Sequence, residues 1–438
     1  MKRYKIVVLG HIINPKSDKK CENFPQGALL LAPKIKNGEV IYKIQDIGPK
    51  SRVLKNLDEG FQLIDYSENV IIPSFFDMHF HWVQDEVREM PKANLLNWLE
   101  NYTFPTEKKF KNKTYAKRKA REFFERLVSV GTLGGACYSS IHEHACEYAI
   151  KEAKGDFIIG NVLMTMNSPK YLTQTKNEAV SLVKRLSSKY KKKYALTPRF
   201  AIATDPVTMQ ETSKIAKKAK CYMQSHLCET QNEIDFVTSM YREKQGFENV
   251  TSYTDIYKKV GMLGPKCIMG HGIHLTDDEI KVLAKTNTAL AHCPTSNAPI
   301  KEKGLGSGLF NFKRIEKNNI RWALGSDIGG GPVLSMFDVM RSFVDQNKKA
   351  KITGATYKKA LYRSTLAGAK LINEDKKTGN LDIGKEANFL VLPKLRNSTS
   401  TNVEDTLESY INKGRKKRLS YDNLVEKVFY QGQMVFTK

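Results

Sequence analysis

A run of apolar residues ends in two histidines at residues 70–81, which read VIIPSFFDMHFH. The run is short and bounded by polar residues, as expected for a buried β-strand. Side chains two residues apart on a strand point to the same face, so His79 and His81 converge on one point. Convergent imidazoles are suited to holding a metal ion. Taken alone, an HxH triplet is equally compatible with a packed pair of surface histidines.

Similar apolar runs recur along the chain and alternate with helical stretches such as YAKRKAREFFERLVSV. The runs include DFIIGNVLM, CYMQSHL, KCIMGHGI, TALAHC and RWALGSD. Strands that alternate with helices indicate an α/β fold with a parallel sheet, and about seven repeats favour a closed barrel. We therefore predict a (β/α)8 TIM-like barrel, with residues 71–378 as the metal-dependent catalytic domain.

The two ends of the chain read differently, as short strand signals separated by Gly, Pro, Asn and Lys turns. We predict that residues 1–70 and 379–438 are the two parts of one small β-sandwich built from both termini. The basic stretch INKGRKKRLS, residues 411–420, is predicted to be a solvated loop before the last strands.

Three more strand-like runs end in residues that can carry chemistry. His226 follows CYMQS, His271 follows KCIMG and Asp327 follows RWALGS. Singly, each is compatible with an ordinary turn residue, and Glu229 with a carboxylate at a helix N-terminus. The carboxyl ends of all barrel strands open on one face, however, so these residues and the first two histidines are expected to share one metal site. Glu229 lies close enough to relay protons there.

Composition excludes several classes of protein. Lys and Arg number 71 against 46 Asp and Glu, giving a net charge of +25, but the basic residues are scattered and form no aromatic-interleaved stripe. We interpret them as solvated faces and expect no nucleic-acid partner. No apolar stretch reaches 18 residues, so no membrane association is expected. Seven cysteines without CxxC spacing favour reduced thiols and a cytoplasmic protein.

The ordered set of HxH, His, His and Asp resembles the amidohydrolase superfamily. Local segments narrow the resemblance to the guanine deaminase family, over about residues 60–375. These segments are LLNWLENYTFPTE (95–107), TPRF (197–200), SHLCE (225–229), AHCPTSN (291–297) and GSDIGGG (325–331). The YTFP and TPRF segments are specific to this family within the superfamily, whereas HxH and GSD are not.

The resemblance implies an enzyme that hydrolyses guanine to xanthine and ammonia, with a small-molecule substrate, one Zn²⁺ per chain and a homodimeric assembly. The implied zinc ligands are His79, His81, His226 and Asp327. The implied substrate-binding residues are Gln84, Arg199, Phe200, Glu229, His271 and Asp327. Of these, Asp327 is expected to accept the proton of the attacking water, Glu229 to shuttle protons to the ring, and His271 to stabilise the reacting group.

The chain also departs from the family pattern, for example at Ser74, Met78, Trp82 and Asn388. Of these residues, Trp82 is expected to be able to alter the pocket.

The sequence leaves two alternative functions open. The first keeps the fold but acts on a pterin, a modified guanine or another 2-amino-4-oxo heterocycle, because these rings share one edge. The second is a basic scaffold that binds nucleic acid without catalysis, which would not need four metal ligands at strand ends.

Overall fold

The computed structural model describes residues 4–55, 57, 60–394, 402–417 and 421–438. The chain divides into two compact units. One unit contains Met1–Asp77, Glu125–Gly134 and Leu334–Lys438, and the other contains Met78–Phe124 and Gly135–Val333. The domain boundaries inferred above, at residues 70 and 378, stay a prediction.

The described residues form two sheets. The strands are β1 (Lys5–Pro15), β2 (Cys21–Lys36), β3 (Glu39–Pro49), β4 (Phe61–Pro73), β5 (Phe75–His81), β6 (Thr132–Ser139), β7 (Asp156–Leu163), β8 (Ala195–Pro198), β9 (Tyr222–Leu227), β10 (Cys267–His271), β11 (Ala289–His292), β12 (Trp322–Leu324), β13 (Phe389–Leu392), β14 (Lys427–Tyr430) and β15 (Gln433–Thr437).

Helices separate most of the strands from β5 onward. The α-helices are α1 (Lys50–Lys55), α2 (Leu95–Trp98), α3 (Phe104–Lys108), α4 (Lys113–Ser129), α5 (Glu143–Glu152), α6 (Lys176–Tyr190), α7 (Pro206–Lys218), α8 (Gln231–Arg242), α9 (Tyr253–Lys259), α10 (Asp277–Thr286), α11 (Pro294–Asn297), α12 (Phe312–Lys317), α13 (Met336–Lys349), α14 (Tyr357–Arg363), α15 (Leu366–Leu371) and α16 (Val403–Lys417). No helix in the described ranges has both the length and the apolar character needed to cross a membrane.

The central sheet contains eight strands in the chain order β5 to β12. Neighbours from β7 to β12 pair in parallel, as in Ile268 of β10 opposite Gln224 of β9 and Ala289 of β11. The backbone N–H of Asp327, just beyond β12, donates to the carbonyl of His79 at 2.7 Å and links the last strand to the first. The predicted (β/α)8 barrel is confirmed.

Burial explains why these strands read as continuous apolar runs. Every residue of β5 and β6 is buried, because a parallel sheet is covered on both faces. Several of the helices begin with the same capping box, in which a Thr side chain accepts from the third residue of the helix and that Glu accepts from the Thr backbone. The pairs are Thr175 with Glu178, Thr230 with Glu233 and Thr276 with Glu279.

The termini share one seven-stranded mixed sheet in the order β15-β14-β13-β4-β1-β2-β3. Its core joins residues from both ends of the chain, including Ile12, Ile71, Phe389 and Phe429. The rings of Phe389 and Phe429 stack with their centroids 4.4 Å apart. The prediction that both termini build one β unit is confirmed.

The loop predicted for residues 411–420 is wrong over most of its length. Helix α16 continues to Lys417, and residues 418–420 lie outside the described residues. Leu407, Tyr410 and Ile411 are buried at helical spacing, and the Tyr410 hydroxyl donates to the carbonyl of Pro393 at 2.7 Å. The helix is therefore held by the apolar face that precedes its basic end.

Candidate active site

The predicted histidines and the aspartate lie together at the carboxyl ends of the barrel strands. His79 and His81 close β5, His226 is in β9 and His271 ends β10. Nε2 of His79 and Nε2 of His81 lie 3.3 and 3.4 Å from Oδ1 of Asp327. Nε2 of His81 is also 3.2 Å from Nε2 of His226. The structure thus brings all of these side chains into one cluster.

The donor atoms of this cluster fit a metal ion. The ligand atoms of His79, His226, His271 and Asp327 all lie within 4.8 Å of one another. Nδ1 of His226 is 2.5 Å from the carbonyl oxygen of Arg199, so Nδ1 carries the proton and Nε2 has its lone pair free for a ligand bond. Outer contacts of this kind orient metal-binding histidines.

His271 has a different hydrogen-bonding state. The Asn297 side-chain amide nitrogen lies 3.1 Å from Nδ1 of His271. Because an amide N–H donates, Nδ1 accepts and the ring proton is on Nε2. Nε2 lies 3.6 Å from Oε2 of Glu229 and 4.0 Å from Oδ2 of Asp327. His271 therefore presents an N–H to the site rather than a lone pair.

Burial sets the charge states of the histidines. It lowers the pKa of His79 to about 4, and it lowers the pKa of His81, His226 and His271 as well. A buried imidazole loses the hydration that stabilises its charged form. The rings are consequently neutral near pH 7, the state in which an imidazole can bind a metal ion.

The pKa values of the two carboxyl groups of the cluster are shifted in opposite directions. Burial alone would raise the pKa of Asp327, but hydrogen bonds from His79 and His81 outweigh it and hold this pKa well below its usual value. Burial, together with the charge of Asp327, raises the pKa of Glu229 well above its usual value. Two neighbouring titratable groups whose pKa values are pushed apart are the arrangement suited to general acid–base catalysis. Ser307 Oγ donates to Oε1 of Glu229 at 3.3 Å.

The backbone around the cluster is tightly constrained. His271 and Asp327 adopt left-handed conformations, with φ of +69° and +51°. Non-glycine residues rarely adopt this conformation, and it recurs at functional sites. A Cβ atom on Gly270 would lie 2.5 Å from Cε1 of His79, and one on Gly325 would lie 2.8 Å from its backbone nitrogen. Only glycine fits at these two positions.

A narrow cavity opens beside the cluster. Its lining residues are His81, Gln84, Leu95, Trp98, Leu99, Arg199, Phe200, His226, Glu229, Leu305, Asp327 and Gly330. Most of the predicted substrate-binding residues therefore lie on its wall. His271 does not line the cavity, but it lies beside Glu229, which does. A wider depression in the same unit, lined by His142, His144 and Arg185 among others, lies away from these residues.

The sequence reasoning missed three residues that support the site. Glu107 is buried and accepts hydrogen bonds from Gln84 and Arg199. Asn297 holds His271, and Ser307 contacts Glu229. Glu107 closes the quoted segment 95–107, which was its only signal.

Trp82 does not line the cavity. Its ring packs edge to face on Phe110 at 4.9 Å, and its Nε1 donates to Ser139 Oγ at 3.0 Å. This departure from the family pattern belongs to the barrel core, so the expected effect of Trp82 on the pocket is not seen.

An α/β barrel that gathers imidazoles and a carboxylate at the carboxyl ends of its strands defines a metal-dependent hydrolase. The sequence pattern described as "Amidohydrolase family" matches residues 70–435. The chain belongs to the amidohydrolase family, within its guanine deaminase group.

Relatives and solved structures agree on this group. The chain is 30% identical to the guanine deaminase of Escherichia coli (strain K12), over 98% of this chain and 95% of the relative. It is 31% identical to that of Dictyostelium discoideum, over 83% of each chain. Among solved structures, E. coli guanine deaminase superposes with a TM-score of 0.86 at 27% identity, covering 100% of both chains. Guanine deaminase from C. acetobutylicum, with guanine bound in the active site, gives 0.85 at 27% identity and covers 99% of this chain and 100% of that one.

Proposed function

We propose that this chain catalyses the hydrolytic deamination of guanine to xanthine and ammonia. The observation that carries the proposal is the cluster of imidazoles and a carboxylate at the strand ends, with Oε2 of Glu229 3.6 Å from Nε2 of His271 and an adjoining cavity that Gln84, Arg199 and Phe200 help to line. The similarity to guanine deaminases supports guanine as the substrate.

We propose zinc as the metal, one ion per chain. His79, His81, His226 and Asp327 would hold it, because nitrogen-rich sets of imidazoles with one carboxylate suit Zn²⁺. A divalent ion at such a site supplies hydroxide near neutral pH by lowering the pKa of water. His271 stays outside this ligand set because its Nε2 carries a proton.

The carboxyl groups of the chain would move the protons. Asp327 is ionised and accepts the proton of the attacking water. Glu229 is protonated and donates to ring atom N3 of guanine as the water oxygen bonds to C2. Ionised Glu229 then takes the proton of the new C2 hydroxyl and passes it to the amino group, so the C2–N bond breaks, ammonia leaves and the C2 carbonyl of xanthine forms. The proton held by Asp327 returns Glu229 to its starting state. The N–H of His271 stabilises negative charge that develops at the reacting centre.

The cavity wall would recognise the other edge of the ring. Arg199 carries donors suited to the O6 and N7 acceptors of guanine, and Gln84 carries an acceptor suited to N1–H. Phe200 is positioned beside His226, with ring centroids 6.2 Å apart, and offers a flat face to a purine.

We also propose that the protein acts as a cytoplasmic homodimer whose catalytic domain is residues 71–378. Support for the compartment comes from the cysteines, since all seven are free thiols. The homodimer rests on the family resemblance alone.

The test is ammonia release from purified, zinc-loaded protein with guanine, adenine, cytosine, pterin and 8-oxoguanine. We expect guanine to be the preferred substrate, and Glu229→Gln to reduce kcat by about 10²–10⁴. Glu386→Gln is the matched control, because Glu386 is an equally buried glutamate in the terminal sheet. Preference for another ring would support the same mechanism but show that guanine is not the substrate. No ammonia from any ring, with the metal measured in place, would refute the proposal.

A further inference from the structure

Three buried polar side chains behind the cavity form one hydrogen-bonded group. Oε1 of Glu107 accepts from Nε2 of Gln84 at 2.9 Å. Nη1 of Arg199 lies 2.8 and 2.9 Å from the two carboxylate oxygens of Glu107. The three residues are only 2%, 1% and 3% exposed, in the order Gln84, Glu107 and Arg199. Gln84 and Arg199 line the cavity, whereas Glu107 stands behind them.

We propose that Glu107 is a positioning residue that sets ring specificity by fixing which hydrogen-bonding groups Gln84 and Arg199 turn toward the substrate. The group selects 2-amino-6-oxo rings against 2,6-diamino rings. This inference rests on the proposed function and deepens it.

The direction of the Gln84 amide follows from the chemistry of a carboxylate. An ionised carboxylate has acceptors only, whereas a glutamine amide has a donor end and an acceptor end. Glu107 therefore captures the NH₂ end of Gln84 and leaves the carbonyl oxygen Oε1 for the substrate. Without that partner, the amide is free to turn either end toward the cavity.

Arg199 is held by the same short helix on two sides. Glu107 engages Nη1, and the ring of Phe104, one turn earlier on α3, lies 5.2 Å from the centre of the guanidinium. Within the described ranges, Nε and Nη2 of Arg199 make no hydrogen bond to the protein. These N–H groups remain as donors for a ligand.

The resulting wall has one acceptor and a set of donors in fixed places. Guanine presents the complement, with a donor at N1–H and an acceptor at O6. The ring of 2,6-diaminopurine presents the reverse, a lone pair at N1 and an amino group at C6, while its reacting 2-amino group is the same. Sites built to bond one polar edge reject the analogue that leaves them unpaired by as much as about 10⁴–10⁵. The hydrogen-bonding groups at N1 and C6, and not the chemistry at C2, would then determine which of the two rings is the better substrate.

A purely structural role makes a different prediction. If Glu107 only neutralised the buried charge of Arg199, its loss would leave an unpaired cation. Stability and turnover would then fall for both rings in the same proportion. The ratio of the two specificity constants, guanine over 2,6-diaminopurine, therefore separates the two roles.

The experiment measures kcat and KM for guanine and 2,6-diaminopurine by ammonia release, with metal content determined for each variant. In Glu107→Leu no acceptor holds the NH₂ end of Gln84, so its amide is free to turn that end toward the cavity. We expect this variant to lower the ratio of kcat/KM values by about 10² or more, mainly through a higher KM for guanine. Glu107→Asp retains acceptors only and should keep guanine as the better substrate. Glu386→Gln should leave the ratio unchanged.

A ratio in Glu107→Leu that stays within about threefold of the wild-type value would overturn the inference. If that variant fails to fold or to hold metal, Gln84→Asn gives the second test, because its shorter amide cannot reach Glu107 while the Arg199 pair stays intact. An unchanged ratio in Gln84→Asn would also overturn the inference. Wild-type protein that is silent on both rings would refute the proposed function itself. Wild-type protein that turns over both rings equally well would refute the inference and leave the deaminase intact.

Discussion

Glu233 lies four residues beyond Glu229 and should make the stability of the protein depend on pH. Its Oε2 caps α8 by accepting from the backbone N–H groups of Glu229 and Thr230, at 2.9 and 3.4 Å. Its Oε1 is buried with no hydrogen-bond partner among the described residues. Burial raises the pKa of Glu233 from 4.5 to about 7.

The size of the effect follows from this shift. Each pKa unit corresponds to about 1.4 kcal/mol, so a rise from 4.5 to about 7 is worth about 3 kcal/mol. Because the folded-state pKa is raised, the stabilising contribution of the protonated carboxyl is fully present below pH 4.5. It is lost progressively as the pH rises through 7. The variant Glu233→Gln keeps an acceptor for the helix cap but cannot ionise.

The assay is urea unfolding of wild type and Glu233→Gln between pH 5 and pH 8. We expect the variant to gain about 2–3 kcal/mol relative to wild type across that range. Glu279→Gln is the matched control. Glu279 caps α10 in the same way, but donors reach both of its oxygens, including the N–H of Thr254 at 3.1 Å. A difference between wild type and Glu233→Gln that does not change with pH would refute the reasoning.

Three other predictions concern the metal cluster and the barrel core. Removing the metal with a chelator should abolish ammonia release and lower the Tm, and adding back one equivalent of zinc should restore both; activity that survives with no metal detected would contradict this. Gly270→Ala should cost about 1–3 kcal/mol of stability and reduce bound metal, because the new methyl group meets the His79 ring, and metal analysis with urea unfolding checks it. Trp82→Phe should cost about 1–3 kcal/mol by leaving the Ser139 hydroxyl without its donor, yet keep the substrate preference, so a changed preference would show that Trp82 shapes the pocket.

The sequence was sufficient to predict the barrel and its metal cluster because both depend on short-range patterns. The alternation of two residues along a strand aligns His79 with His81. The run CYMQSHL, which contains His226, coincides with β9 to within one residue, and the run KCIMGHGI, which contains His271, includes all of β10. Strand ends that open on one face then bring distant residues together without further information.

The supporting contacts could not be predicted, because their partners are far apart in sequence. Glu107 and Arg199 are separated by 92 positions, and Ser307 and Glu229 by 78. Glu107 closes a segment with family-specific residues, but nothing in that segment shows that its side chain is buried against Arg199. The loop predicted at the end of α16 was wrong for the opposite reason, since the basic composition of residues 411–417 concealed the apolar face that begins at Val403.

The residues around the cavity come both from barrel strand ends and from a connecting segment, and this difference affects how new activities can arise. The hydrolytic centre stands on strand ends beside Gly270 and Gly325, where any added side chain collides with His79. Three other lining residues, Leu95, Trp98 and Leu99, come from a single contiguous segment, residues 95–107, between β5 and α4. Directed evolution of ring preference should therefore succeed with libraries confined to that segment. Randomising the strand ends should yield mostly inactive variants, because the close backbone contacts there leave no room for larger side chains.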